Sequence, residues 1–286
     1  MTDCWASSQG TTYPADETVP GAKFRQVKRA TILVDSRDRD YSRFPTPSEY
    51  VVTLPQVFHN VSNAVLMSAE LPATYYVFAA DRGTTSLDVS VGGVKRTVAI
   101  PDGNYTFTTM ASALKSSLEA AFAGSTFTVT FNAVTSKCQI AVSPSAAIEV
   151  DCTRATKPTG WGLGYYLGFA KGVVTSGTGS VVGAGVANMN PETYMVIHIE
   201  ELNNVSHAAI YGEGGHNRKA FAKVPMCHPT FQYSFYDKQL MCNEQRPPLS
   251  KLDRLSISIR FHDGTLVDFH GAEHSLTIEL TCTLTR

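Results

Sequence analysis

The chain has 286 residues, 43% hydrophobic and 17% charged, with 24 Lys and Arg against 25 Asp and Glu for a formal charge of -1. That is enough apolar material for a core without disulfide or metal staples, and the balanced charge excludes a dedicated nucleic-acid binder, whose footprint is a basic surplus. The charged share lies below the roughly 25% common in soluble proteins, so neutral Ser, Thr, Asn and Gly cover much of the outside.

The opening residues, rich in Ser, Gly, Thr, Pro and Asp, have the composition of an extended arm, set at 1–29. They show no charged start leading into an apolar stretch, so no secretory signal is read there. No apolar run approaches the roughly 20 residues of a membrane-spanning helix. Strand grammar then begins. Thr31–Val34 and Tyr50–Leu54 flank the turn signals Pro45 and Pro47, and Val61–Leu71 and the aromatic run Tyr75–Phe78 follow. Leu87–Val91 alternates, Gly92-Gly93 marks a two-residue hairpin, and Thr97–Ile100 answers it.

Thr108 or Thr109 is placed to cap an amphipathic helix whose apolar stripe is Met110, Leu114, Leu118, Ala121 and Phe122, ending at Gly124. Strands return at Phe127–Phe131, Cys138–Val142 and Tyr194–Ile199. Between the last two, Gly160–Phe169 is a glycine and aromatic cluster, and Gly172–Asn188 reads as a Gly/Ser-rich loop at about 171–190. Leu255–Phe261 alternates, Asp263-Gly264 turns, Leu266–Phe269 pairs back, and Ser275–Leu284 closes the chain. Many short strands and one helix predict a mainly β fold, an antiparallel jelly-roll-like β-sandwich over 30–286 with long loops.

Chemistry-bearing strings are few. His270-Gly271-Ala272-Glu273-His274 matches the H-x-x-E-H pattern of one zinc-peptidase class, which needs both His on one helix face; here strands flank it, and a turn entering the last strand is favoured. That turn leaves His and Glu facing solvent or a partner. Asp35, Asp38 and Asp40 alternate with Arg37 and Arg39, and cross-pairing or contact with a neighbouring chain is favoured over a calcium site, because Arg supplies the counter-charge. Gly177–Gly183 spells neither a dinucleotide nor a Walker loop.

Between Gly21 and Arg43, seven basic residues (Lys23, Arg25, Lys28, Arg29, Arg37, Arg39, Arg43) face three Asp, a patch able to touch an anionic surface or simply to be solvated. The six cysteines form no C-x-x-C pair and read as free thiols, Cys227-His228 with Cys242 matching no common zinc frame. The sequons at Asn60, Asn104 and Asn204 read as chance. Trp161, Tyr165 and Tyr166 are the side chains a carbohydrate- or ligand-binding sandwich would use.

Taken in order, Ile32–Asp40 with Phe44–Tyr50, Ser68–Pro72, Ile100–Thr106, Leu163–Phe169, Ala220–Lys223 and Asp268–Glu279 resemble the minor capsid proteins of large icosahedral double-stranded DNA viruses of the algal and giant-virus type. The resemblance spans about residues 30–284. It implies a non-enzymatic structural protein of the virion, assembled in the host cytoplasm. Such a protein lies under the major capsid shell, bridges capsomers and links them to the inner membrane.

Its implied partners are the major capsid protein and other minor capsid proteins. No cofactor, metal, specific nucleic acid or small-molecule substrate is implied, and a penton or vertex component is the alternative. The interface candidates are Asp35, Arg37, Asp38, Arg39, Asp40, Trp161, Tyr165 and Tyr166. Replacing Arg37 and Arg39 together is expected to weaken assembly while sparing the isolated fold.

Overall fold

The computed structural model describes residues 27–153, 162–190, 192–202, 208–209, 218–226, 232–236 and 242–283. Its strands are β1 (Val27–Asp35), β2 (Glu49–Pro72), β3 (Ser86–Val91), β4 (Val94–Ala99), β5 (Thr126–Phe131), β6 (Cys138–Ser143), β7 (Ile148–Cys152), β8 (Gly172–Ser176), β9 (Ser180–Val182) and β10 (Tyr194–Ile199). They continue as β11 (Ala208–Ala209), β12 (Arg218–Lys219), β13 (Ala222–Pro225), β14 (Tyr233–Tyr236), β15 (Cys242–Arg260) and β16 (Ser275–Thr283). Helices are α1 (Phe107–Ala121) and the single turn α2 (Leu163–Tyr166).

The fold is mainly β, and all its strand pairs are antiparallel. The largest sheet runs β1-β16-β2-β15-β10-β13, with β14 pairing the end of β2. Smaller sheets run β4-β3-β7-β8 and β5-β6-β9, and β11 pairs β12. One apolar cluster joins the three larger sheets, from Ile32 and Leu66 through Val89 and Ile140 to Ile278.

Alternation explains β16, where Leu276, Ile278, Leu280 and Cys282 point inward and the residues between them face out. The helix forms where its spacing predicts, burying Met110, Leu114 and Leu118. Its cap is Thr106 rather than the expected Thr108 or Thr109, because Thr106 and Thr109 form a reciprocal capping box with Thr109 at its third position. The β3–β4 hairpin turns at Gly92 and Gly93, both with positive φ.

Several expectations are corrected. Tyr50–Leu54 and Val61–Leu71 are one strand, β2, because its break falls in a bulge. Residues 54–57 face only Asp253 of β15, and Pro55, which has no N–H to give a ladder, sits there. Pro247 and Pro248 occupy the matching bulge of β15 between Glu244 and Leu249. Tyr75–Phe78 is not a strand. The Asn104 side chain takes its backbone bonds instead, accepting from Val77 N–H and donating to Tyr75 O.

Leu266–Phe269 makes only an isolated bridge, Arg260 with Leu266. The 172–188 run is not an open loop, since β8 pairs β7 and β9 pairs β6. The partners of these small-residue strands lie well upstream, so no local hairpin signal marks them. β1 begins at Val27, within the segment assigned to the arm, and residues 1–26 lie outside the described residues.

Candidate functional site

Two strings that the sequence offers separately meet at one corner of the large sheet. The β1–β16 ladder runs unbroken from Val27 opposite Thr283 to Asp35 opposite Ser275, and continues as Ser36 N–H donates to His274 O at 2.9 Å. There the chain leaves β1 through a short 3-10 turn, Ser36–Asp38, capped by Asp35, whose carboxylate accepts from Arg37 N–H. Ser36 Oγ closes the corner, accepting from His274 N–H at 2.9 Å and donating to Glu273 Oε2.

Arg39 is the centre of the clamp. Its guanidinium, 2% exposed, contacts Glu273 Oε2 at 2.5 Å and donates to the carbonyls of Ser36 and Phe44. It also lies 4.0 Å from the Tyr41 ring centroid, and Tyr41 Oη donates to the other Glu273 oxygen. Burial pushes the Glu273 carboxyl up, but the bonds from Arg39 and Ser36 outweigh it and leave the group below its usual range. The Asp35 carboxyl is likewise held low by its hydrogen bond with Arg37.

His274 is buried between Tyr50 and Phe269, at ring distances of 5.5 and 5.6 Å. Its Nε2 lies 2.9 Å from the Pro47 carbonyl, which only accepts, so Nε2 carries the hydrogen. Burial drops the imidazole to about 4, so the ring is neutral at pH 7. His274 Nδ1 and the Tyr50 hydroxyl are buried without a hydrogen-bond partner.

The H-x-x-E-H string therefore does not build a zinc site. It is a turn with positive φ at His270 and Gly271, as its flanking strands predict, but Glu273 and His274 turn into the protein rather than toward solvent. His270 leaves in another direction and packs tilted against the Tyr76 ring, with centroids 4.0 Å apart. Among the described residues no group of three His, Cys, Asp or Glu is arranged to hold a metal ion.

Tyr76 and His270 border a cleft of about 380 Å³ that Arg82, Asp102, Phe261 and Asp268 also line. Arg82 packs on the Phe261 ring at 4.1 Å and bonds the buried Glu192 at 2.5 Å. Glu192 in turn meets His262 at 3.4 Å, and that bond holds the His262 imidazole above its ordinary value. No spacing in the sequence links Arg82 to Glu192, 110 residues away.

Of the interface candidates, Arg37, Asp38 and Asp40 are exposed and Asp35 is half-buried. Arg39 and Tyr166 are buried, and Tyr165 is half-buried against Tyr166. Trp161 lies outside the described residues, as do Lys23, Arg25, Cys227, His228 and Asn204. The Leu163–Phe169 string is core. Its Gly168 has φ +81, and a Cβ there would meet Gly185 O at 2.5 Å.

The sequence reading missed an outward apolar face beside the clamp. Leu33 is 78% exposed and Phe235 69%, and Phe235 stacks on Tyr233. The register places them on one side of the sheet: Leu33 is opposite Thr277, Thr277 opposite Ser68, and Phe235 opposite Glu70, two residues on.

A family of unknown function (DUF5901) matches residues 22–156, which include the clamp's first half and α1. No curated protein matches the chain. Among solved structures, the penton protein of mavirus aligns over 91% of this chain and 100% of its own, at 8% identity and a TM-score of 0.49. A chain of the Sputnik virophage aligns over 89% and 97%, at 8% identity and a TM-score of 0.39.

Proposed function

We propose that the chain is a non-enzymatic structural component of a virus particle. In this reading it is a minor capsid protein beneath the major capsid shell, bridging capsomers and linking them to the inner membrane. It contacts the major capsid protein and other minor capsid proteins, and resides in the virion after assembly in the host cytoplasm.

The ordered motifs that carry the resemblance support this, because the structure gives them structural work. Ser36, Arg39, Glu273 and His274 close the corner, Asn104 braces Tyr75–Val77, and Leu163–Phe169 fills the core. The observation that carries the proposal is the outward face with Leu33, Tyr233 and Phe235. Large apolar side chains this exposed on one side of the sheet, with Phe235 stacked on Tyr233 and Leu33 beyond the intervening Thr277 and Ser68, favour a surface that a partner covers.

The hydrolase reading loses its residues to this geometry, since Glu273 is tied to Arg39 and His274 Nε2 to Pro47. The ligand-binding reading loses Tyr166 to the core. Of the basic patch, Lys28, Arg29, Arg37 and Arg43 are exposed while Arg39 is not. A vertex position is a second form of the same proposal.

The test is co-sedimentation of the purified chain with stripped capsid shells or major capsid protein at low and high salt. Saturable binding that survives high salt and is lost in Phe235→Asp is the expected result. Binding lost with salt and untouched by Phe235→Asp would move the contact to the basic edge. No binding at either salt would overturn the proposal.

A further inference from the structure

We infer that the free edge of β1 is a pairing site for a second copy of this chain, giving a twofold dimer in which two β1 strands join antiparallel about Thr31. The inference does not depend on the capsid reading.

β1 is an edge strand. It pairs β16 on one side, and no described strand covers the other. It runs nine residues without bulge or proline, so it lacks two of the devices that blunt an open edge. The bond from Ser36 N–H to His274 O sets the alternation. Even-numbered residues of β1 face β16, and Val27, Arg29, Thr31, Leu33 and Asp35 turn their N–H and C=O groups to the open side. An edge of that kind is a template for another strand.

The sequence selects the partner and the register. With Thr31 opposite its own copy, Arg29 falls opposite Leu33, Val27 opposite Asp35, and every outward N–H meets an outward C=O of the copy. On the inward face, Ala30 falls opposite Ile32 and extends the apolar row that Ile32 and Val34 already form, while the exposed Lys28 falls opposite Val34, where its stem can lie along that row. No like charges are then directly opposed. A register centred on Arg29 would set two guanidinium groups face to face, and one centred on Leu33 would pair only the end of the strand. The Arg29 stem also covers the exposed Leu33 of the copy, while its head keeps Glu279, 3.8 Å away on its own chain. The arrangement is isologous, so it closes at two copies.

The full chain is tested by sedimentation velocity at micromolar concentration, beside Thr31→Pro. That proline removes an outward N–H while sparing the bonds to β16. The expected result is a wild-type dimer and a Thr31→Pro monomer with the same circular dichroism.

Two cysteine variants fix the register even if the proline variant does not fold. Opposed Thr31 Cα atoms lie about 5.5 Å apart in such a pair, within disulfide reach, whereas the two Leu33 positions lie about 14 Å apart. Thr31→Cys should therefore cross-link on mild oxidation and Leu33→Cys should not. A wild-type monomer throughout, a dimer unaffected by a folded Thr31→Pro, or equal cross-linking by both cysteine variants would overturn the inference.

Discussion

Replacing Arg39 by Ala removes the buried guanidinium that ties the β1 exit to the turn before β16. In the folded chain the guanidinium is 2% exposed and bonds Glu273, Ser36 O and Phe44 O, with Pro45 O more distant at 3.4 Å. Truncation leaves those carbonyls without their donor and leaves Glu273 with only the hydroxyls of Ser36 and Tyr41. Breaking a buried pair from one side costs about 3–5 kcal/mol. The Glu273 side chain is 24% exposed, so water reaches the orphaned carboxylate and the expected loss lies near the lower end, about 3 kcal/mol.

Equilibrium unfolding in urea at pH 7 measures this directly, and for a chain of this size the same loss lowers Tm by about 5 °C. Arg39→Ala combined with Glu273→Gln should cost less than the sum of the two single changes, because they share one interaction. Arg37→Ala, by contrast, removes an exposed arginine and should leave the unfolding midpoint unchanged. With Arg39 buried in the corner and Arg37 exposed, the two changes are expected to act separately, Arg39→Ala on stability and Arg37→Ala on the surface alone. A loss under about 0.5 kcal/mol for Arg39→Ala, or one equal to that of Arg37→Ala, would refute the reasoning.

Acidification should weaken the chain through His274. Its imidazole takes a proton near 6.5 when unfolded and only near 4 when folded, so the unfolded state binds more protons in that window and stability falls as pH drops through it. The shift corresponds to about 3 kcal/mol, and His274→Gln should flatten the slope of stability against pH between those values; an unchanged slope would contradict it. Gly168→Ala should cost about 2–4 kcal/mol, since it places a Cβ at φ +81 against the backbone of Gly185. A variant with wild-type thermal stability would show that the close approach at α2 is not required.

Local pattern carried much of the fold. The β3–β4 hairpin could be read because alternation and the Gly92-Gly93 turn lie within one short window, and α1 because Met110, Leu114 and Leu118 repeat at helical spacing. β8 and β9 could not, since Gly172–Val182 is built of small residues whose strand partners are β7 and β6. Ile148–Cys152 does alternate buried and half-buried residues, and that signal would have found β7.

The clamp was half legible. Both strings stood out by composition, but the Arg39–Glu273 pairing spans 234 residues and only the β1–β16 register brings it about. Of the three carboxylates and two arginines in the Asp35–Asp40 string, the register buries only Arg39 and leaves Arg37, Asp38 and Asp40 at the surface. The outward face with Phe235 gave no sequence signal, because β14 is a short strand whose side of the sheet is fixed only by its pairing with β2.

The most direct test of the central claim is quantitative proteomics of gradient-purified virus particles, followed through stepwise disassembly of the shell. The account predicts the chain in intact particles at a fixed ratio to the major capsid protein, leaving only when the shell opens. Absence from purified particles, or loss in a mild wash that leaves the shell closed, would contradict it.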